Sequence, residues 1–84
     1  MHTLYKQIRR WCINASRTEY TNVMHEAKMT PRQYAIAEAR FLRGEPNFII
    51  AMDMNLSVQT IEREVIKSYK AINRILKFDT SVLS

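Results

Sequence analysis

Gln59, Arg63, Lys67, Lys70 and Arg74 recur at three- and four-residue intervals, a spacing that puts them on one face if the segment is helical. That face carries four positive charges and no negative one, with Glu62 and Glu64 on its flanks. Such a stripe suits anions. A guanidinium presents donors in a fixed fork that matches phosphate oxygens or a guanine edge, an ammonium acts as a compact point charge, and a glutamine amide can pair with an adenine edge. On a surface helix without an anionic partner, the same stripe is a solvated lysine/arginine face. What precedes it therefore matters.

No other residues offer chemistry of comparable shape. Cys12 is the single cysteine, which rules out an internal disulfide and a zinc site built on cysteine pairs. With no paired base recognisable, it reads as a small buried hydrophobe rather than a nucleophile. His2 and His25 are isolated from each other and from cysteine, so no metal site is expected. Glu38, Glu45, Asp53, Glu62, Glu64 and Asp79 show no hydrolase-like pairing. Nothing supports an enzyme, and no cofactor is implied.

The bulk numbers agree with an anionic partner. The 84 residues carry a formal charge of +5, which favours nucleic acid. The charge is spread out, since five basic and two acidic residues lie in 1–28 and eight basic and six acidic residues in 29–84. It is not a basic tail on a neutral body. A chain of this length builds one modest core. Its start, MHTLYKQIRR, lacks the apolar run of a signal peptide, and the most apolar stretch, Phe48–Met52, ends at Asp53. A soluble, cytoplasmic protein that does not engage a membrane is expected.

The elements that must position the stripe are legible as helices. Gly occurs once and Pro twice, against a turn-rich β fold. Leu4, Ile8, Trp11, Cys12 and Ala15 recur at helical spacing, followed by a break at Ser16 to Thr18. Tyr20, Val23, Met24 and Ala27 form a shorter pattern. Thr30-Pro31-Arg32-Gln33 reads as an N-cap, a proline in the first helical position and a glutamine that closes a capping box. The helix it starts runs through Tyr34, Ala37 and Phe41 and stops at Gly44. A short helix then holds Phe48 to Met54, Asn55 supplies a positive φ, and Ser57 caps a long helix from Val58 to about Leu76. Ile61, Val65, Ser68, Ile72 and Leu76 share its inner side. The tail, 77–84, has no clear pattern.

Residues Ile50 to Val65 pose a packing problem with a recognisable solution. Two helices joined by a tight turn cross closely, so the first needs a small residue at the crossing, which Ala51 supplies. Met54, Leu56, Ile61 and Val65 give the apolar contacts before, inside and after the turn. Small, apolar, turn, apolar, cap and apolar follow in the order of a helix-turn-helix. The expected fold is therefore all-α, a small domain of four to five helices containing that motif. It divides into an amphipathic N-terminal segment 1–28, a helix-turn-helix domain 29–76 and a tail 77–84.

The segment 29–76 resembles the helix-turn-helix of sigma-factor region 4 and of LuxR-type response regulators. The Leu-Thr-Pro-Arg-Glu-like opening of those families is matched by Met29-Thr30-Pro31-Arg32-Gln33, and their Ile-Ala pair by Ile50-Ala51. Their Gly-Ile-Ser turn is matched by Asn55-Leu56-Ser57, and the Thr-Val opening of the recognition helix by Thr60-Ile61. The resemblance implies sequence-specific binding of double-stranded DNA in transcription, with Val58, Gln59, Thr60, Glu62, Arg63 and Lys67 as the DNA-facing set. Lys70 and Arg74, on the basic stripe, extend it to phosphates. Two departures stand out. Glu62 occupies a position usually basic or polar, where a carboxylate repels phosphate unless it accepts from a cytosine amino group. Phe48 and Ile49 stand where exposed acidic residues are usual, so a cover for them is expected. Leu4, Ile8 and Trp11 on the N-terminal helix, together with Phe48 and Ile49, make the expected partner or dimer surface, with that helix packing on the pair or forming a dimer contact.

Three functions fit. The first is a DNA-binding transcription regulator of the compact kind found in phages and other mobile elements, acting as a homodimer because one recognition helix reads few bases. The second is a protein-binding module on the same scaffold, engaging RNA polymerase, a sigma factor or another nucleic-acid enzyme. The third is the DNA-recognition subunit of a phage packaging machine, whose opening cap is similar but whose last helix matches less well.

Overall fold

The computed structural model describes residues 2–78. Among them are five α-helices and no strand: α1 (His2–Asn14), α2 (Arg17–Glu26), α3 (Pro31–Ala37), α4 (Asn47–Met54) and α5 (Val58–Leu76). A π-helical turn, Glu38–Leu42, prolongs α3. The all-α expectation of four to five helices holds. Residues 79–84 of the tail, with Asp79, lie outside the described residues.

Local chemistry sets each boundary. The break after α1 is a capping box, in which Ser16 Oγ accepts from the Glu19 N–H at 3.1 Å and Glu19 Oε1 accepts from the Ser16 N–H at 3.0 Å. The same arrangement opens α3, where Thr30 Oγ1 accepts from the Gln33 N–H and Gln33 Oε1 from the Thr30 N–H, both at 3.1 Å. Pro31 follows in the first turn, as its sequence position implies. Helix α2 ends with Lys28 at φ 56°, its N–H on the His25 carbonyl, and with the Met29 N–H on the Met24 carbonyl. Those two bonds are the pair of a Schellman motif.

The core is continuous across the chain. Ile8 and Cys12 of α1 and Tyr20 and Met24 of α2 join Ile36, Phe41, Ile50, Ala51, Ile61, Val65, Tyr69 and Ile72 in one buried cluster. The N-terminal segment thus shares its core with residues 29–76. Helix α5 is the hub, packing against α1, α2, α3 and α4. Leu56 and Leu76 are half-buried at the edge of the cluster.

The π turn has no counterpart in the sequence pattern, which reads 38–42 as ordinary helix. It is held from outside. Tyr5 lies against Phe41 with ring centroids 5.6 Å apart, and its hydroxyl donates to the Arg40 carbonyl at 3.3 Å. The Arg40 guanidinium lies 4.4 Å over the Tyr5 ring and donates from Nη1 to the Glu45 carbonyl at 3.1 Å. Gly44, at φ 67°, turns the chain out of this segment in a conformation that side chains resist.

One expectation about the N-terminal helix is corrected, and of the two alternatives offered for it, packing on Phe48 and Ile49 or a dimer contact, the first falls at Phe48. Ile8, read as part of a partner or dimer surface, is 0% exposed, because α1 turns that face into the chain's own core. Phe48 is not covered by α1 and stays 56% exposed. Helix α1 instead packs mainly on the π turn and α5. On α4, the buried Ile50 and Ala51 point inward, so Phe48 falls on the outer side with Met52, one turn away. Ile49 is half-buried between the two sides. Leu4 and Trp11 are also half-buried against the core, with Trp11 stacked 6.4 Å from the Tyr20 ring.

Candidate nucleic-acid interface

The junction of α4 and α5 is built from backbone bonds that Asn55 makes available. Asn55 has φ 56° and ψ 45°, the left-handed conformation that asparagine tolerates better than most residues. Its N–H reaches the Met52 carbonyl, and the Leu56 N–H reaches the Ala51 carbonyl at 2.9 Å. This second Schellman pair closes α4 and reverses the chain within three residues, 55–57. Ala51 is 4% exposed, leaving no room for a larger side chain where the two helices meet. Ser57 then opens α5, its Oγ accepting from the Thr60 N–H at 3.1 Å and lying 2.8 Å from Thr60 Oγ1.

Helix α5 turns Ile61, Val65, Ser68, Tyr69 and Ile72 into the core. Val58, Gln59, Glu62, Arg63, Lys67, Lys70 and Arg74 are consequently exposed, and Thr60 is half-buried. Every residue of the sequence-derived DNA-facing set therefore reaches the surface of one helix, but the set is not one surface. Glu62 lines a 280 Å³ cleft with Tyr5, Arg40, Asn47, Val65, Ile66 and Tyr69, on the flank facing α1 and α4. Arg63 lines a separate 290 Å³ cleft with Arg32, Thr60, Glu64 and Lys67, on the flank facing α3. Adjacent residues on a helix differ by about 100°, and here that rotation places the carboxylate and the guanidinium in different grooves.

The basic stripe is also less free of acid than its spacing suggests. Glu64, with a side chain only 12% exposed, lies 3.8 Å from Lys67 Nζ. Arg63, Lys70 and Arg74 have no ion pair among the described residues. Arg32 has none either, and it is the residue that sequence reasoning misses. In the sequence it belongs only to the cap of α3, and its place beside α5 depends on how the two helices cross.

Elsewhere the candidate chemistry is quiet. Burial pushes the Cys12 thiol up to about 12, so it stays protonated. Among the described residues no group of His, Cys, Asp and Glu is arranged to hold a metal ion, and no helix is long and apolar enough to cross a membrane. No protein-family model, curated protein or solved structure matches this chain.

Proposed function

We propose that this chain is a sequence-specific DNA-binding transcription regulator, in which α4, the turn at 55–57 and α5 act as a helix-turn-helix resembling those of sigma-factor region 4 and LuxR-type regulators. One observation carries the reading. The outward face of α5 bears Gln59, Arg63, Lys67, Lys70 and Arg74, all exposed, directly after a tight turn closed by a left-handed asparagine and capped by serine. Helix α5 enters the major groove, Gln59 and Arg63 near its start meet base edges, and Lys67, Lys70 and Arg74 hold phosphates. Useful specificity needs two such helices, so the working form is a homodimer on paired half-sites. A cytoplasmic setting, where Cys12 stays reduced, belongs to the same reading.

Selection from a pool of random duplexes, repeated across a salt series, tests it. Enrichment of one sequence is expected, with log affinity falling linearly against log salt at a slope set by the phosphates neutralised. If no duplex is retained even at low salt, the reading fails.

A second reading is favoured by a different observation. Phe48 and Met52, 56% and 74% exposed, stand one turn apart on the outer side of α4. Large apolar side chains grouped in water suit a protein partner, in which case the scaffold engages RNA polymerase, a sigma factor or another nucleic-acid enzyme. Phe48→Asp abolishing a protein interaction, with duplex binding absent in the parent chain, would favour it.

A further inference from the structure

The cleft between α3 and α5 gathers Arg32, Thr60, Arg63 and Lys67 around 290 Å³ of open space, and among the described residues the only carboxylate in its wall is Glu64. We infer that this cleft is a phosphate seat, in which Arg32 from α3 and Lys67 from α5 grip one phosphodiester of the bound strand beside the base-reading Arg63. The inference rests on the DNA-binding reading for the carrier of the phosphate, and it adds a binding residue from outside α5.

Three features of the cleft carry it. The first is charge. Neither guanidinium is paired with a carboxylate among the described residues, whereas Arg43, just after the π turn, is bound to both Glu38 and Glu45. Two like charges held in one cleft repel, and an anion seated between them removes that penalty. The second is the donor set. Ser57 Oγ already accepts the Thr60 N–H, and it lies 2.8 Å from Thr60 Oγ1. Either hydroxyl can donate to the other, and when Ser57 does so the Thr60 hydroxyl, which lines the cleft, keeps its own proton for an acceptor there. A guanidinium fork, an ammonium and a hydroxyl then match an acceptor-rich tetrahedral anion better than a neutral ligand. The third is placement. The other basic residues of α5 lie along one helix, with Arg63 and Arg74 separated by about 16 Å of axial rise. Arg32 comes from a second helix, so the pair in the cleft fixes the rotation of α5 about its own axis, which a single line of charges does not. Phosphate contacts of this kind set register and orientation rather than sequence preference.

Glu64 opposes the anion, and its role is positional. Its nearly buried carboxylate tethers Lys67 at 3.8 Å, keeping the ammonium at the cleft wall.

Two measurements on the full chain test the inference separately from the reading it rests on. Amide resonances of the 15N-labelled protein are followed while inorganic phosphate replaces chloride at constant ionic strength. Shifts concentrated at residues 32, 60, 63 and 67 are expected, and Arg32→Ala should abolish them. In parallel, affinity for a selected duplex is measured across salt for the parent chain, Arg32→Ala and Arg32→Lys. Arg32→Ala should weaken binding about 5- to 20-fold at moderate salt, equally on all sequences, and flatten the salt slope by about one unit, with Arg32→Lys recovering most of the slope. If the parent binds duplex and Arg32→Ala binds with the same affinity and slope, the phosphate seat is overturned while the DNA reading stands. If no duplex binds yet phosphate shifts cluster in the cleft, the seat stands and the DNA reading falls. Uniform or absent phosphate shifts without duplex binding overturn both.

Discussion

The two flanks of α5 use the same residue type in opposite ways. On one flank Arg40 is half-buried, its guanidinium stacked on Tyr5 and hydrogen-bonded to the Glu45 carbonyl. On the other, Arg32 is exposed and has no ion pair among the described residues. Arg40 has exchanged water for fixed partners and holds a turn in place. Arg32 keeps its hydration and its charge. The formal charge of +5 counts both equally, so a basic balance overstates what is free to meet an anion. Glu62 and Arg63, neighbours in sequence, divide along the same line, one facing the packed flank and the other the open one.

The packed flank breaks most readily at Phe41, which is 0% exposed and lies against Tyr5. Phe41→Ala removes a whole ring from the core and should cost about 3–5 kcal/mol in urea unfolding. Spectra of the folded fraction should show the Tyr5 and Arg40 region losing its order before α5 does.

A sharper contrast comes from making the same substitution on each flank. Arg40→Ala forfeits a cation–π contact and strands the Glu45 carbonyl, so a loss of about 1–3 kcal/mol is expected. Arg32→Ala should stay within about 0.5 kcal/mol of the parent, as a surface change away from packed contacts does. Equal losses at the two positions would show that the distinction between the flanks is wrong.

On the open flank the expected effect is on binding. Arg63→Ala should cost about 1–3 kcal/mol on a selected duplex and relax preference at one position of the site. Lys70→Ala, further along α5, should weaken all duplexes alike and lower the salt slope by about one unit. Anisotropy titrations on selected and scrambled duplexes distinguish these outcomes.

The core beneath both flanks carries a titration of its own. Burial raises the Cys12 thiol from its ordinary value of 9.0 to about 12 in the fold. A group whose folded pKa lies above its unfolded value favours the protonated form, so its contribution is complete below about pH 9 and declines as pH rises towards 12. At about pH 10 the loss should be about 1 kcal/mol. Urea melts at about pH 8 and about pH 10 should show this decline in the parent chain, and Cys12→Ala, whatever its own cost, should show less of it.

These contrasts also mark how far the sequence reaches. The caps at Thr30 and Ser57, the left-handed Asn55 and the inward face of α5 are all legible, because each is fixed by residues within a few positions of one another. Glu62 and Arg63 read as one surface because helical spacing reports which side a residue takes, not which neighbouring helix stands there. The π turn at 38–42 is invisible for a related reason. Its hydrogen bonds are longer-range than an α-helix's by one residue, and it is Tyr5, distant in sequence, that packs against Phe41 and satisfies the Arg40 carbonyl. Ile8 is misplaced because an apolar face reads the same whether it meets its own chain or another. Arg32 escapes notice because the crossing of α3 and α5 has no local signature.

The smallest expected effect lies at the hinge that sets how α4 meets α5. Asn55 holds φ 56°, a conformation that costs a residue with a Cβ roughly 1 kcal/mol and glycine almost nothing. Asn55→Gly should therefore leave stability within a few tenths of a kcal/mol of the parent, relief of backbone strain offsetting the added freedom of the unfolded chain. Asn55→Ala, with neither glycine's freedom nor asparagine's tolerance, should lose about 1 kcal/mol. The two flanks should respond differently even so. Asn47 of α4 lines the packed cleft, whereas the open cleft draws its walls from α3 and α5 alone. A loosened hinge in Asn55→Ala should thus shift amide resonances around Glu62 and Asn47 and leave those around Arg32 and Arg63 nearly unmoved. Equal shifts on both sides would mean that the turn positions the whole of α5 rather than its α4 flank, and the two clefts would then have to be treated as one mechanical unit.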